Sequence, residues 1–313
     1  MKVAILMSTY NGENYLQQQI DSIVNQDYSE WQLYIRDDGS TDDTLNIIET
    51  SILRDDRIHF IQDKYSHLGP KNSFLYLLKN IEADFYFFAD QDDFWKSNKF
   101  TCMLKEFNSS DQPELVYCSL QCTNKDLKPI DLDLNKMVGT VSGKNRFIWN
   151  DIPGCTMAIN SALRDKTINY AISNDNIVMH DWWLALIAEV FGKIKFVNLP
   201  LVLYRQHGNN VVGGGKKGSL LSKVLSKNSI KKQKDFVKLV YSQDMLFFKI
   251  YGNDLPKEYK LFFKQLVACS QRPWSYRYKF LKKYKLHTPS KIRTQSFEFF
   301  FVFELKEIMR KNK

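Results

Sequence analysis

The sequence predicts an α/β protein in which a mostly parallel sheet is sandwiched by helices and is followed by a basic helical C-terminal extension. Three observations predict this fold class. Short apolar strands alternate with amphipathic helices in the first half, polar clusters follow three of those strands, and positive charge is concentrated after residue 215. Such alternation builds a mostly parallel sheet covered by helices on both faces.

The strand and helix pattern is regular through the first 120 residues. We expect strands near 2–8, 31–36, 57–62, 84–89 and 114–119. The crossover helices are expected near 13–26, 41–53, 70–81 and 97–108. In the first of these, Tyr15, Leu16 and Ile20 share one face, as the 3.6-residue period of an amphipathic helix requires. Farther along, the pattern predicts a strand over 155–159, helices over 161–172 and 181–191, and a hairpin over 194–205 around Pro200.

Charge divides the chain into two parts. Residues 216–313 carry 24 Lys and Arg against 7 Asp and Glu, a net charge of +17, whereas residues 1–215 carry −8. This asymmetry, together with the glycine run at 213–215, predicts a catalytic α/β domain over 1–212 and a basic, aromatic-rich helical region over 213–313. The five scattered cysteines are expected to be reduced thiols. No apolar stretch approaches the ~20 residues that span a bilayer, so we expect a cytoplasmic protein.

Polar clusters follow strands one, two and four, at Ser8–Glu13, Asp37–Asp42 and Asp90–Asp93. Each cluster alone has a structural explanation, such as an Asn11–Gly12 turn or a capping box formed by Ser40 and Asp43. Ligands of doubly wound sheets bind beyond the carboxyl ends of the strands, where all three clusters are expected. Together they predict a binding site at one edge of the sheet.

The third cluster carries three carboxylates, on Asp90, Asp92 and Asp93. Three negative charges within four residues repel each other unless a cation neutralises them. Oxygen ligands on a short loop suit Mn²⁺ or Mg²⁺, which complete their coordination with water and phosphate oxygens. A nucleotide diphosphate supplies such oxygens, so the loop predicts a divalent metal site next to a nucleotide.

In this order and strand placement, the three clusters resemble those of the family 2 glycosyltransferases of GT-A fold, over roughly residues 1–210. The resemblance implies that seven residues bind the nucleotide sugar, namely Thr9, Tyr10, Asn11, Glu13, Asp38, Asp90 and Arg205. It also implies that Asp92 and His207 approach the metal. A lone histidine is more often structural, which is the alternative for His207.

The second half carries a further match at His180-Asp181-Trp182-Trp183, where the family usually has Glu-Asp and the Asp is the catalytic base. The resemblance implies that Asp181 is the base, although His180 replaces the usual Glu. The structural alternative is that Asp181 is a helix N-cap. Three residues are expected on the acceptor side, namely Gly154, Cys155 and Trp182. Their alternatives are an ordinary turn before a strand and a core tryptophan.

The resemblance implies an inverting reaction, because one base and one leaving-group clamp suffice for a single displacement. The processive motif Gln-x-x-Arg-Trp is absent near 204–210, so we expect one sugar per encounter. Segments 180–185, 191–194 and 204–210 are similar, in residue types and order, to those of the rhamnosyltransferase branch of the family. This similarity implies dTDP-L-rhamnose as donor and a lipid-linked cell-surface polysaccharide precursor as acceptor, with UDP-glucose or UDP-galactose as the alternative donor.

The sequence also offers two rival functions and one further partner. A sugar-1-phosphate nucleotidylyltransferase would carry a Gly-rich basic loop after strand one, which this chain lacks. A polyanion-binding protein would act through the basic tail, but the acidic body and the missing motifs predict no nucleic-acid partner. The tail mixes lysines and aromatics at Lys282, Lys283, Lys285, Trp274, Tyr276, Tyr278, Phe280 and Tyr284. This mixture predicts peripheral contact with an anionic membrane, and a solvated helix bundle is the alternative.

Overall fold

The computed structural model describes residues 1–108, 111–132, 134–168, 175–207 and 227–310. The chain divides into two compact units. The first comprises Met1–Gly139, Asp151–Ser173 and Met179–Gly214, and the second comprises Thr140–Asn150, Asn174–Val178 and Gly215–Lys313. The expected hinge at 213–215 and the end of the helix expected over 161–172 lie outside the described residues. Segment 140–150, which the prediction assigned to the first domain, belongs to the second unit.

An eight-stranded sheet runs through the described part of the first unit. Its strands are β1 Val3–Thr9, β2 Trp31–Asp37, β3 Ile58–Phe60, β4 Phe85–Ala89, β5 Phe94–Trp95, β6 Glu114–Thr123, β7 Met157–Asn160 and β8 Lys193–Arg205. They lie in the order β3-β2-β1-β4-β7-β6-β8-β5. The pairs β1 with β2, β1 with β4, β2 with β3 and β6 with β8 are parallel, while β7 runs antiparallel to β4 and β6, and β5 runs antiparallel to β8. The predicted mostly parallel sheet is confirmed.

Helices of the first unit follow the expected order. They are α1 Leu16–Val24, α2 Thr44–Arg54, α3 Gly69–Asn80, α4 Lys99–Leu104, α5 Leu134–Met137, α6 Ser161–Ile168 and α7 His180–Phe191. Helices α1, α2 and α4 are shorter than predicted, because turn residues occupy their first positions, and α5 was not predicted. Helix α7 is apolar almost all round, from Trp182 to Ala188, and these residues are buried. A helix without a polar face belongs in the interior, so α7 forms part of the core.

The predicted hairpin over 194–205 is wrong, because this segment is the single strand β8. Its pairing with β6 shifts between Cys118, which pairs with Val197, and Ser119, which pairs with Pro200. Proline cannot donate to a strand ladder and is therefore placed at bulges. The proline that predicted a turn thus marks a bulge, and the strand continues through it to Arg205.

The second unit is helical. Its helices are α8 Lys227–Tyr251, α9 Lys257–Cys269, α10 Trp274–Tyr284 and α11 Lys291–Phe299, and a π-helical turn Phe300–Glu304 leads into α12 Leu305–Arg310. Phe147 is fully buried, with ring centroids 5.6 Å from Phe247 and 5.0 Å from Phe263. These aromatic contacts place segment 140–150 within the second unit. Across the described ranges, no helix is both long and apolar enough to cross a membrane. All five cysteines are free thiols.

Candidate functional site

The first two polar clusters meet because β1 and β2 are parallel and end in register at Thr9 and Asp37. The Thr9 hydroxyl donates to Asp37 Oδ1 over 2.8 Å, and Thr9 is fully buried. Asp37 Oδ2 accepts from the backbone N–H groups of Gly39 (3.0 Å) and Ser40 (2.8 Å). Gly39 has a φ of +95°, a conformation that glycine adopts without strain. Thr9 and Asp37 therefore fix the two turns against each other.

Asn11 and Glu13 bind the start of α2. Asn11 Oδ1 accepts from the N–H of Thr41 over 2.9 Å, and the Glu13 carboxylate accepts from the N–H of Asp43 over 3.0 Å. The expected capping box of Ser40 and Asp43 is wrong, because Asp43 makes no side-chain cap. The Asn11 amide oxygen and the Glu13 carboxylate satisfy these N–H groups instead, and the negative charge of Glu13 stabilises the positive end of the helix.

Tyr10 is the open residue of the first cluster. Its side chain is 48% exposed, with an edge contact to the His67 ring at 5.9 Å. The Gln91 amide fixes its backbone, accepting from Tyr10 N–H (2.8 Å) and donating to Tyr10 C=O (2.9 Å). A Cβ on Gly12 would lie 2.4 Å from Gln91 Oε1, so this approach requires the glycine. An exposed ring on a rigid backbone is suited to stacking on a base.

Asp38 is engaged by protein groups on both carboxylate oxygens. Oδ1 accepts from Arg36 Nη1 over 2.7 Å, and the N–H groups of Leu68 and Gly69 each donate over 2.8 Å. Arg36 is fully buried and also binds Asp63 over 2.7 Å. Asp38 therefore connects the turn after β2 to the start of α3. The expectation that Asp38 contacts the nucleotide stays a prediction.

The carboxylate loop follows β4 and lies partly in the interior. Asp90, Asp93 and Cys155 offer ligand atoms within 4.8 Å of one another. Burial and the charges of Asp92 and Asp181 raise the pKa of Asp90 to about 7. Burial and the charges of Asp92 and Asp90 also raise the pKa of Asp93 well above its usual value. Without a cation, protons relieve the repulsion that the sequence predicted.

Lys99, at the start of α4, was missed by the sequence analysis. Its side chain is fully buried, its Nζ donates to Cys155 C=O over 2.6 Å, and the same atom lies 3.4 Å from the Trp95 ring centroid. Burial lowers the pKa of Lys99 to about 8, although the Asp90 and Asp93 carboxylates oppose that shift. A buried ammonium thus lies near the carboxylates. The available signal was a lysine four residues after a strand tryptophan.

Arg205, at the end of β8, is 1% exposed and forms hydrogen bonds with the carboxylate loop. Its Nε donates to Asp92 C=O and its Nη2 to Gln18 Oε1, each over 2.8 Å. Its backbone N–H donates to Asp93 Oδ1 over 3.1 Å, and its guanidinium lies 4.4 Å from the Tyr15 ring centroid. The structure therefore places Arg205 as a support for the loop, which differs from the expected contact with the donor.

His207 and Asp92, the two residues expected to approach the metal, lie next to each other. His207 Nε2 is 2.6 Å from Asp92 Oδ2, and both side chains are partly exposed. Mn²⁺ and Mg²⁺ bind carboxylate oxygen, and imidazole nitrogen is an accepted ligand of transition metals. The inner group of Asp90, Asp93 and Cys155 also brings three possible ligand atoms within 4.8 Å of one another, although burial raises the pKa of the Cys155 thiol. Asp92 and His207 are paired with each other, and the expectation that they approach a metal stays a prediction.

Asp181 lies in the first turn of α7, where Met179 occupies the N-cap position. Its Oδ2 accepts from Gly154 N–H over 3.1 Å, and its Oδ1 accepts from Trp182 N–H. Asp181 is therefore not the N-cap residue, but its carboxylate does bind an N–H group of the first turn, so its catalytic role stays a prediction. Burial raises the pKa of Asp181 to about 7, against the lowering effect of these two hydrogen bonds. A carboxyl group that titrates near neutral pH is suited to general base catalysis.

His180 is buried against aromatic rings, with centroids 4.3 Å from Phe74 and 5.5 Å from Phe88. Neither ring nitrogen has a hydrogen-bond partner within the described part of the chain. Burial lowers the pKa of His180 to about 3, so the ring is neutral. A Cβ on Gly154 would lie 2.9 Å from His180 Nε2. His180 therefore packs beneath the turn that binds Asp181, and only a glycine leaves room for it.

The family model of glycosyl transferase family 2 matches residues 4–169, which is more than half of the chain. The chain belongs to this family. The glycosyltransferase is 31% identical over 220 residues to the dTDP-rhamnosyl transferase RfbG of Shigella flexneri, covering 66% of this chain and 73% of that protein. It is 26% identical over 208 residues to the Escherichia coli UDP-Glc:alpha-D-GlcNAc-diphosphoundecaprenol beta-1,3-glucosyltransferase WfgD, covering 64% and 74%.

Solved structures confirm the GT-A fold of this glycosyltransferase. Residues 1–349 of S. aureus TarS, in complex with UDP, superpose with a TM-score of 0.57 at 14% identity, over 100% of this chain and 92% of that chain. The mannosyltransferase PcManGT of Pyrobaculum calidifontis, in complex with GDP-Man and Mn²⁺, superposes with a TM-score of 0.51 at 13% identity, over 99% and 86%. At these identities the comparisons show the fold alone.

The glycosyltransferase brings some predicted site residues together and buries others. The side chain of Tyr10 is exposed to solvent. Asp90 and Asp92 follow the carboxyl end of β4, and His207 lies next to Asp92. All three residues expected on the acceptor side are buried: Gly154 lies in the buried turn before β7, and Cys155 and Trp182 are 0% and 5% exposed. None of the three offers a surface to a glycan, so burial in the core argues against their expected acceptor role.

Proposed function

We propose that this protein is a metal-dependent, inverting glycosyltransferase that transfers one sugar from dTDP-L-rhamnose to a lipid-linked precursor of a cell-surface polysaccharide. One observation carries the reaction type. The short turn at Gly154 and Cys155 joins the candidate base to the carboxylate loop, because Gly154 N–H donates to Asp181 and Cys155 lies with Asp90 and Asp93. The charge of Asp181 also acts on Asp90, which supports a site where base and metal loop converge.

The proposed reaction is a single displacement at the anomeric carbon. Asp181 takes the proton of the acceptor hydroxyl, the acceptor oxygen forms a bond to the sugar carbon, and the bond from that carbon to the diphosphate oxygen breaks. The electron pair of that bond leaves with the nucleotide diphosphate. One displacement inverts the anomeric configuration. The hydrogen bonds from Gly154 and Trp182 hold the Asp181 carboxylate in place for this transfer.

Asp92 and His207 are the proposed ligands of Mn²⁺ or Mg²⁺. When bound, the cation would stabilise the negative charge that develops on the departing diphosphate. Arg205 holds Asp92 and Asp93 through backbone and side-chain hydrogen bonds, so it acts as a positioning residue for the loop. The Mn²⁺ in the complex of PcManGT, a protein of the same fold, supports this proposal.

The donor assignment rests on the similarity to the dTDP-rhamnosyl transferase RfbG. The methyl group of a 6-deoxy sugar suits an apolar pocket wall, but Trp182 and Trp183 do not provide one, because both tryptophans are buried in the core. A UDP-hexose is the second candidate donor, favoured by the similarity to the glucosyltransferase WfgD. That relative is named for a diphosphoundecaprenol-linked acceptor, which supports a lipid-linked acceptor and a location at the inner face of the cell membrane.

A donor panel tests the proposal. The purified protein is incubated with dTDP-L-rhamnose, UDP-glucose or UDP-galactose, each with Mn²⁺, Mg²⁺ or EDTA, and release of the nucleotide diphosphate is measured. We expect metal-dependent release of dTDP from dTDP-L-rhamnose, and its loss in Asp181→Asn. Turnover of a UDP-hexose without any use of dTDP-L-rhamnose would overturn the donor assignment alone. Equal turnover by wild type and Asp181→Asn would overturn the assignment of the base.

A further inference from the structure

Four exposed aromatic side chains lie on two helical segments of the second unit. Trp274 and Tyr278 belong to α10, Phe299 ends α11 and Phe303 lies in the π-helical turn, and they are 55%, 48%, 51% and 56% exposed. The ring centroids of Trp274 and Phe303 are 5.9 Å apart, and those of Phe299 and Phe303 are 5.5 Å apart. We call these four residues the aromatic patch. Soluble proteins rarely leave large contiguous apolar surface exposed without a partner.

Helical spacing explains why the patch is continuous. Trp274 and Tyr278 are four residues apart, so they lie on one face of α10. Lys282 follows after four more residues, with its Nζ 5.3 Å from the Tyr278 ring centroid. The same Nζ binds Glu298 of α11 over 3.0 Å. This ion pair joins the two segments beside the patch.

The positive charge of the described part of the second unit indicates the kind of surface that the patch would bind. Residues 227–310 carry 19 Lys and Arg against 7 Asp and Glu, a net charge of +12. Exposed cations lie on α10 and α11, which carry three of the four rings, namely Lys279, Lys282, Lys283 and Lys291. A second copy of this chain would bring equal positive charge to the patch, which disfavours self-association. An anionic lipid surface attracts the lysines and accepts aromatic rings at the depth of its headgroups.

We propose that the aromatic patch docks on the surface of an anionic bilayer. The proposal deepens the proposed function, since it rests on that function for the lipid-linked acceptor, but binding itself requires neither donor nor metal. It also changes the set of residues that the sequence indicated. Phe280 is 3% exposed and belongs to the core, whereas Phe299 and Phe303, which the charge pattern did not single out, are exposed.

Vesicle flotation tests the docking. The full chain is mixed with vesicles of phosphatidylglycerol and phosphatidylcholine, or of phosphatidylcholine alone, and the floated fraction is measured at low and high salt. We expect binding to the anionic vesicles that weakens with salt. The double variant Trp274→Ser with Phe303→Ser should lower the partition coefficient by roughly tenfold or more, because two large apolar rings no longer enter the headgroup region. Leu53→Ser, at an 89% exposed position of the first unit, is the matched control.

Three further measurements, of thermal melting, nucleotide-sugar hydrolysis and oligomeric state, distinguish a loss of docking from misfolding, loss of activity and self-association. Thermal melting of the double variant should match that of the wild type, because both rings are exposed. Its hydrolysis of a soluble nucleotide sugar should be unchanged, so a failure of docking is distinguishable from a failure of the proposed function. Equal flotation of wild type and double variant overturns the proposal. A concentration-dependent dimer of the wild type that the double variant loses, without flotation of either protein, assigns the patch to self-association and also overturns it.

Discussion

Lowering the pH from about 8 to about 6 should slow the glycosyltransferase roughly tenfold, because the base must be ionised to accept a proton. Burial raises the pKa of Asp181 to about 7. With that pKa, roughly nine-tenths of the carboxyl groups are ionised at about pH 8 and roughly one-tenth at about pH 6. The sign follows directly, since activity is present above this pKa and is lost as the pH falls through it. A solvated aspartate would give a flat profile over the same interval.

The titration of Asp90 has to be distinguished from that of Asp181. The pKa of Asp90 is also raised to about 7, partly by the charge of Asp181. If Asp181 is the base, the residual activity of Asp90→Asn still rises with pH through about 7. The activity of Asp181→Asn is much lower and does not show that rise. The expected loss in Asp181→Asn is ~10² or more, which is the usual contribution of a general base.

The assay is kcat/KM for release of the nucleotide diphosphate, measured against pH at saturating metal. Thermal melting of Asp181→Asn separates a catalytic loss from misfolding. A carboxyl group with a raised pKa is more easily ionised in the unfolded chain, so its ionisation opposes folding at alkaline pH. Asp181→Asn should therefore melt no lower than the wild type at about pH 8. A flat pH profile, or near-normal transfer by Asp181→Asn, would refute the reasoning.

Three other changes test the rest of the site. EDTA should abolish turnover, Mn²⁺ or Mg²⁺ should restore it, and Asp92→Ala should not be rescued by ordinary metal concentrations; full activity in chelator would contradict the metal site. Gly154→Ala should lower kcat about tenfold or more, because its Cβ would lie 2.9 Å from His180 Nε2 and displace the turn that binds Asp181, the proposed base. Adding His180→Ala should recover part of that kcat, and no recovery would refute the steric explanation. Lys99→Met should lower the free energy of unfolding by about 1–3 kcal/mol, since the C=O of Cys155 loses its buried donor; an unchanged denaturant midpoint would contradict it.

The sequence predicted the fold through signals that are local. The alternation of strands and helices predicted β1, β2 and β4 to within about two residues, because apolar periodicity reports which face is buried. Helix ends were less accurate, since α1 begins at Leu16, after turn residues that the periodicity counted as helix. The hairpin around Pro200 failed for a related reason, because proline is compatible with both a turn and a bulge.

The candidate site was predicted in composition more than in arrangement. The carboxylate loop was predicted from residue types and spacing, and Asp181 was predicted from the resemblance to the family. The partners of these residues come from distant parts of the chain, as Arg205 shows by binding Asp92 and Gln18. Whether an arginine faces a ligand or the interior depends on such partners, which no local pattern encodes. Lys99 was missed for the same reason, since its place beside the carboxylates depends on how α4 packs.

The sequence by itself determined where polar residues follow strands, because parallel strands of one sheet bring their carboxyl ends to one edge whatever packs around them. Only the tertiary structure decided the burial and the charge state of individual side chains. It buried Asp181 enough to raise its pKa to about 7, and it left His180 neutral between aromatic rings. It also turned Cys155 inward and left Phe303 exposed. Desolvation and hydrogen bonding depend on contacts between residues far apart in the chain, and those contacts exist only in the folded protein.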